Sequence, residues 1–207
     1  MLKLLLPLPK TLTVALSGGV DSVAITDFLS RKHEVTCAFF HHGTQNSERA
    51  HEFVKQFCEA RNLPLTVGYN NEEKPNKVSS EEHWRNMRYK FLDQFQTVVT
   101  GHNLDDCIET YIFSALHGTP KLIPTARNNV LRPFLTTPKS QFVEWCMRHE
   151  VKWIDDTSNA DTKYMRNYIR HELMPHALVV NPGLSKLVKK LVLDKLKIAN
   201  TQTLLYN

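Results

Sequence analysis

The sequence predicts an α/β protein: a parallel, doubly wound sheet with helices on both faces. Three observations predict it. Short apolar runs alternate with longer segments of helical periodicity along the chain. One of those runs, "EVTCAFF" at 34–40, reads as a buried strand, as strands covered on both faces do. Polar, glycine-containing segments follow two of them, "SGGVDS" at 17–22 and "TGHNLDD" at 100–106, where ligands of such sheets bind.

Each element has its own signal. "LTVAL" (12–16) reads as a first strand and "VDSVAITDFLS" (20–30) as the helix it feeds. "EVTCAFF" (34–40) is a second, buried strand, and "SERAHEFVKQFCEARN" (47–62) a second helix. "LPLTVGY" (63–69) gives a third strand, followed by a polar loop at 70–78. Ser79 and Glu82 have the spacing of a capping box and start a helix running to about Phe95. "TVVTGH" (97–102) is a fourth strand. Leu104, Ile108, Tyr111 and Ala115 recur at helical spacing across "LDDCIETYIFSAL" (104–116). A loop at 117–129 leads to the extended "VLRPFL" (130–135). Thr137 as N-cap and Pro138 in the first turn begin another helix. The last helix, "LSKLVKKLVLDKLKIAN" (184–200), places Leu184, Leu187, Val188 and Leu191 on one face and lysines on the others. We expect a main domain over 1–183, with 184–207 an amphipathic helix and tail packed on it.

A chain of 207 residues that is 42% hydrophobic can bury one good-sized core. The net charge of +5 favours a polyanionic partner, most simply nucleic acid. Cys37, Cys58, Cys107 and Cys146 are widely spaced with no C-x-x-C pair, so they read as reduced, buried thiols and not as a zinc site or disulfide frame. The opening "MLKLLLPLPK" has too short an apolar core for a signal peptide and is broken by prolines. We expect a soluble, cytoplasmic protein.

The segment "LSGGVDS" has the chemistry of a phosphate site. Glycines let backbone N–H groups point inward, and a helix starting there adds its positive end. Ser17 and Ser22 offer hydroxyls beside Gly18 and Gly19, and Asp21 can hold Mg2+ next to phosphates. No lysine follows Gly19, so this is not the G-x-x-x-x-G-K-[ST] loop of kinases and motors, and ATP would be used in another way. A ligand-free serine-glycine turn is the competing reading.

The second constellation is acidic. If the helix reached back to His102, then His102, Asp106 and Glu109 would lie at i, i+4 and i+7 on one stripe, with Asp105 beside it. A favourable helix dipole, a solvated charged face or a capping histidine would each explain one of these residues. Three acids and a histidine opposite an apolar face favour a site. Clustered carboxylates near a nucleotide suit an ammonium substrate, which they bind and help to deprotonate.

"SGGVDS", "RNMRYKFL", "TGHNLDDCIET", "LRPFL", "DDTSNADTKYMRNYIR" and "LMP" occur in that order. As a set, over Leu12 to Pro175, they resemble the tRNA(Ile)-lysidine synthases of the PP-loop ATP pyrophosphatase superfamily. The resemblance implies an adenine nucleotide alpha-hydrolase-like, Rossmann-like fold with a short helical extension. It also implies a ligase that uses ATP and Mg2+ on isoleucine tRNA with a CAU anticodon. Members adenylate C2 of the anticodon cytidine, and the ε-amino group of free lysine displaces AMP. Carried over, Ser17, Gly18, Gly19, Asp21 and Ser22 form the ATP loop. Arg85 and Arg88 lie near nucleotide or activated cytidine, although a surface basic stripe explains Arg88 equally well. His102, Asp106 and Glu109 handle lysine and the reacting base, with Asp105 as a helper. Arg166, Asn167 and Arg170 reach the cytidine or its phosphates. Arg132 contacts tRNA or is structural.

Two departures stand out. His117-Gly118 replaces the arginine-glycine pair usual after the acidic helix. Many members also continue into further tRNA-gripping domains, so the chain reads as a short form. Three other readings compete. A PP-loop tRNA thiolase would want paired cysteines. A non-catalytic RNA-binding PP-loop protein would not need an intact acidic stripe and ATP loop. An acyl-adenylate amide ligase would share "SGGVDS" but not "RNYIR".

Overall fold

The computed structural model describes residues 2–155, 163 and 165–205. The chain runs β1 (Thr11–Ala15), α1 (Val20–Ser30), β2 (Glu34–His41), α2 (Gln45–Glu59), β3 (Leu65–Tyr69), α3 (Ser80–Leu92), β4 (Val98–Val99) and α4 (Leu104–Leu116). A hairpin of β5 (Ala126–Arg127) and β6 (Val130–Leu131) follows, then α5 (Lys139–Arg148). One long helical segment comes next: α6 (Met165–Tyr168), a π-helical turn over Ile169–Leu173, and α7 (Met174–Val180). It is followed by α8 (Leu184–Leu205).

The sheet order is β3-β2-β1-β4-β6-β5. β1 pairs in parallel with β2 on one side and β4 on the other, with Val14 opposite both Cys37 and Val99. The first crossovers build outward through β2 and β3. The chain then returns past β1 to start β4, so the order reverses between β1 and β4. Their C-terminal ends carry the two loops singled out in the sequence, at the place where doubly wound sheets hold ligands.

β1 is covered on both faces. Leu12, Val14 and Leu16 are fully buried in the main core with Val23, Ile25, Cys37, Val54 and Phe142. On the opposite face the buried Thr13 shares a 2.9 Å hydrogen bond with Thr36, which satisfies its hydroxyl. Among the described residues, no helix is long and apolar enough to cross a membrane.

Several local expectations are corrected. The sheet is not wholly parallel: β5, inside the segment expected to be a loop, pairs antiparallel with β6 at the start of the segment expected to be extended. Asn128, at φ 53°, turns that two-residue connection, because asparagine tolerates the left-handed region. α3 ends at Leu92, not Phe95. The freed carbonyls of Leu92 and Phe95 both accept from the Asn129 amide, at 2.8 and 2.7 Å. Ser79 does cap α3, its hydroxyl accepting from the Glu82 N–H at 3.1 Å.

Thr137 does not cap α5. Pro138 takes the N-cap position with extended ψ 148° and offers no side-chain acceptor, and the helix starts at Lys139. On α8 the buried stripe is Leu184, Val188 and Val192, packed with Leu104, Cys107 and Ile108 of α4. Leu187, expected on that face, is exposed.

Candidate active site

The loop after β1 is stitched by Ser22. The Ser17 N–H donates to Ser22 Oγ at 3.1 Å, and Ser22 Oγ donates to the Gly19 carbonyl at 3.0 Å. Gly18 sits at φ +89°, and a Cβ there would press on Ile154 at 3.1 Å, so this position needs glycine twice over. Gly19 is the N-cap of α1 and has no side chain to accept from the first turn. That helix end is therefore left for an outside acceptor, the usual arrangement for an anion.

The loop after β4 meets it closely. A Cβ on Gly101 would stand 3.3 Å from the Asp21 backbone carbon, the Asp21 Cβ and the Ser22 nitrogen. Across this contact the Asn103 amide donates to Asp21 Oδ1 at 3.1 Å. Asn103 also closes a capping box on α4. Its Oδ1 accepts from the Asp106 N–H at 3.1 Å, and its own N–H donates to Asp106 Oδ2 at 2.9 Å. Burial pushes the Asp21 carboxyl up to about 6, opposed by the charge of Lys139.

His102 is not on the helix. α4 begins at Leu104 behind the Asn103 cap, so the expected three-residue stripe starts two positions too early. His102 lies in the preceding extended segment, where Nδ1 shares a 2.8 Å hydrogen bond with Thr100 Oγ1. Burial and the charges of Arg132, Arg88, Arg85 and Arg166 push it down to about 3. It is a neutral imidazole at physiological pH. Asp105, expected beside the stripe, is engaged elsewhere: Oδ2 accepts from the Lys139 N–H at 2.8 Å, capping the helix that Pro138 cannot cap. The Leu104 N–H donates to the Thr137 carbonyl beside it, so α4 and α5 start laced together.

The two remaining acids meet arginines from the C-terminal helical segment. Arg170 Nη2 lies 2.9 Å from Asp106 Oδ1 and 2.6 Å from Glu109 Oε2, and Arg166 Nη1 lies 3.0 Å from Glu109 Oε1. Glu109 is 1% exposed and Asp106 22%. Burial raises both carboxyls, and the guanidiniums oppose that rise. That Arg166 and Arg170 reach one carboxylate fits their expected common face. The "DTSNA" part of the adjoining motif lies outside the described residues.

A cavity of about 680 Å³ joins these parts; Ser17, Gly19, Asp21, Ser22, Arg88, His102, Asp106, Arg166 and Asn167 line it. Glu109, Arg85, Arg132 and Asp105 do not. A second cavity of 340 Å³ shares Ser17, Gly19 and Asp21 and adds Arg49, Lys139, Asp155 and Arg170. Arg88 thus faces the cleft, not solvent. Arg132 is 2% exposed and donates to the Pro124 carbonyl at 3.2 Å and to the Tyr89 hydroxyl at 3.0 Å.

Sequence reasoning missed Asn103, Tyr89, Trp84 and Lys139. For Asn103 a signal existed, the N-x-x-D spacing of a capping box just before an apolar-periodic run. His117 folds back to the Phe113 carbonyl at 2.7 Å, its ring tilted 36° against the Phe113 ring. All four cysteines are free and buried, and none lines the cleft. Cys37 and Cys58, unpaired by spacing, share the main core, where the neighbouring Cys58 thiol and burial raise Cys37.

This loop at the switch point of a parallel sheet, without a P-loop lysine, defines a class. Residues 4–177 match the PP-loop domain, and the chain belongs to that family. It is similar to the tRNA(Ile)-lysidine synthase of Thermosipho africanus, at 31% identity over 86% of this chain and 46% of that protein. It is also similar to the tRNA(Ile)-lysidine synthase of Legionella pneumophila strain Paris, at 32% identity over 85% of this chain and 44% of that protein. The chain thus spans somewhat under half the length of these relatives. Two solved structures share the fold. The NH3-dependent NAD synthetase of Campylobacter jejuni has a TM-score of 0.52 at 16% identity, covering 88% of this chain and 83% of that one. The NMN synthetase of Francisella tularensis has a TM-score of 0.53 at 15% identity, covering 80% of this chain and 77% of that one.

Proposed function

We propose that the chain uses ATP to convert the anticodon cytidine of tRNA(Ile) to lysidine, releasing pyrophosphate and AMP. One observation carries the reading: the Asp21–Asn103 hydrogen bond ties the nucleotide loop to the acidic start of α4, so both line one cleft. The relatives named as tRNA(Ile)-lysidine synthases support the choice of substrate.

In this reading the ATP phosphates lie on the uncapped start of α1, with Ser17 and the Gly18–Gly19 backbone around them. Asp21 is the carboxylate beside them, and with phosphate oxygens it would hold Mg2+, which would supply positive charge to the leaving pyrophosphate. The cytidine O2 attacks the α-phosphorus while the bond to pyrophosphate breaks. Arg88 and Arg166 line the cleft and balance the charge that builds on the phosphoryl oxygens.

Lysine then enters. Asp106, the acid that lines the cleft, binds the ε-ammonium and helps to remove its proton; the amine forms a bond to C2, and the C2–O bond breaks to release AMP. Glu109, out of the cleft, positions Arg166 and Arg170. Neutral His102 serves as a hydrogen-bonding partner of the base.

Mass analysis of tRNA(Ile) after incubation with the protein, ATP and labelled lysine tests this. The expected result is one lysine per tRNA, with AMP and pyrophosphate formed in equal amounts. ATP cleavage with no label on the RNA refutes it.

A further inference from the structure

Tyr89 belongs to none of the roles above, yet it stands at the wall of the same cavity. Its oxygen accepts a hydrogen bond from Arg132 Nη2 at 3.0 Å. Arg132 is almost completely buried, and its Nε has no hydrogen-bond partner among the described residues. Two further guanidiniums flank the phenol ring: Arg85 lies 5.0 Å and Arg88 5.7 Å from its centroid. Among the described residues none of these three arginines is ion-paired with a carboxylate.

The hydrogen-bond inventory of a phenol makes this arrangement directional. A tyrosine hydroxyl has one proton to donate. With the oxygen already accepting from Arg132, the proton must be given elsewhere, and among the described residues it has no acceptor. The guanidinium behind it withdraws charge, making the O–H a stronger donor, and the neighbouring arginines favour an anionic acceptor. The same three charges hold the Tyr89 phenol below its ordinary range against the opposing effect of burial.

We propose that Tyr89 is a further catalytic residue. Its hydroxyl, polarised by the buried Arg132, donates to an anionic phosphate oxygen of the substrate in the cleft. The proposal rests on the reading given under Proposed function. The phosphate could come from the nucleotide or from the RNA backbone, and the experiment separates the two.

Tyr89→Phe removes the hydroxyl and keeps the ring with its two flanking guanidiniums. Arg132→Met removes the buried charge at similar volume. Wild type, both single variants and the double variant are compared in AMP formation with tRNA and lysine. Their affinity for a non-hydrolysable ATP analogue and for an anticodon stem-loop RNA is measured separately, and thermal midpoints are recorded.

Tyr89→Phe is expected to lose about ten- to a hundredfold in kcat/KM with little change in thermal midpoint. Arg132→Met should lose a similar factor alone and add little in the Tyr89→Phe background, because it acts through the hydroxyl. A loss confined to ATP parameters assigns the nucleotide phosphate; a loss confined to RNA parameters assigns a backbone phosphate. Unchanged activity and affinities in Tyr89→Phe would overturn the proposal, as would fully multiplicative losses in the double variant. Wild type that binds both ligands without modifying the RNA would instead count against the proposed reaction, and the binding arms would still judge Tyr89.

Discussion

Asn103 and Asp21, 82 positions apart in sequence, are joined side chain to side chain by a 3.1 Å hydrogen bond. Through it the residue that caps α4 also orients the carboxylate of the 17–22 loop. The two duties can be separated. Asn103→Ser keeps an oxygen for the Asp106 N–H but has no amide to reach Asp21, whereas Asn103→Ala loses both. The alanine variant should lose about 1 kcal/mol of stability, and the serine variant only a few tenths. Both should slow AMP formation by about tenfold or more. Thermal melts with matched assays check this; a serine variant of full activity would reduce Asn103 to a helix cap.

Asp21→Ala and Ser17→Ala should abolish AMP formation while leaving the melting transition in place, because neither side chain belongs to the core cluster. Product analysis by chromatography is the measurement. ADP as the only product would point to phosphoryl transfer and away from adenylation.

The two acids of α4 should respond differently. Asp106→Asn should raise the lysine concentration needed for half-maximal rate by about ten- to a hundredfold, since it removes the charge-assisted contact proposed for the lysine ammonium. Glu109→Gln should act first on stability, because Glu109 is fully buried against Arg166 and Arg170. Removing one member of a buried pair costs about 3–5 kcal/mol. Arg166 is half exposed and can be rehydrated, so about 2 kcal/mol is expected here. Denaturant melts and lysine titrations of both variants decide between these assignments.

His102 makes the fold sensitive to acid. Its pKa falls from the ordinary 6.5 to about 3 in the folded protein, through burial and four nearby arginines. The unfolded chain takes up this proton below pH 6.5, while the folded chain resists until near pH 3. The stability tied to neutral His102 is therefore fully present above pH 6.5 and is lost as pH falls towards 3. His102→Gln should flatten the dependence of the urea midpoint on pH in that window. An unchanged slope would mean that the imidazole titrates normally.

Much of the architecture was legible because its signals are local. β1, α1, β2 and α2 announce themselves by apolar runs and periodicity, and "SGGVDS" shows its glycines directly. What stayed hidden depends on residues far apart in sequence. Asp105 and Glu109 have i, i+4 spacing, but Asp105 turns to the Lys139 N–H because Pro138 leaves α5 without a side-chain cap. The acids and arginines were read as separate binding groups. Only the packing of the 165–180 helical segment against α4 shows that Arg166 and Arg170 neutralise Glu109. β5 stayed hidden for a different reason: a two-residue strand is too short to show alternation, and only the Asn128–Asn129 turn marks it.

β4 consists of two residues, and they stitch the two halves of the sheet together: Val98 and Val99 pair with Thr13 and Val14 on one side and with Val130 and Leu131 on the other. Each half of the site hangs from its own bank of this narrow zip. A brief unfastening of Val98–Val99 would carry Gly101–Asp106 away from Ser17–Ser22 while β1, β2 and β3 stayed paired. A ligand touching both banks acts as a clasp and lowers the population of the unfastened form in proportion to its occupancy. The amides of Thr13, Val98 and Thr100, bonded to Thr97, Asn129 and Leu131 across this zip, are then a built-in gauge of the loaded cleft, their hydrogen exchange slowing as the nucleotide binds.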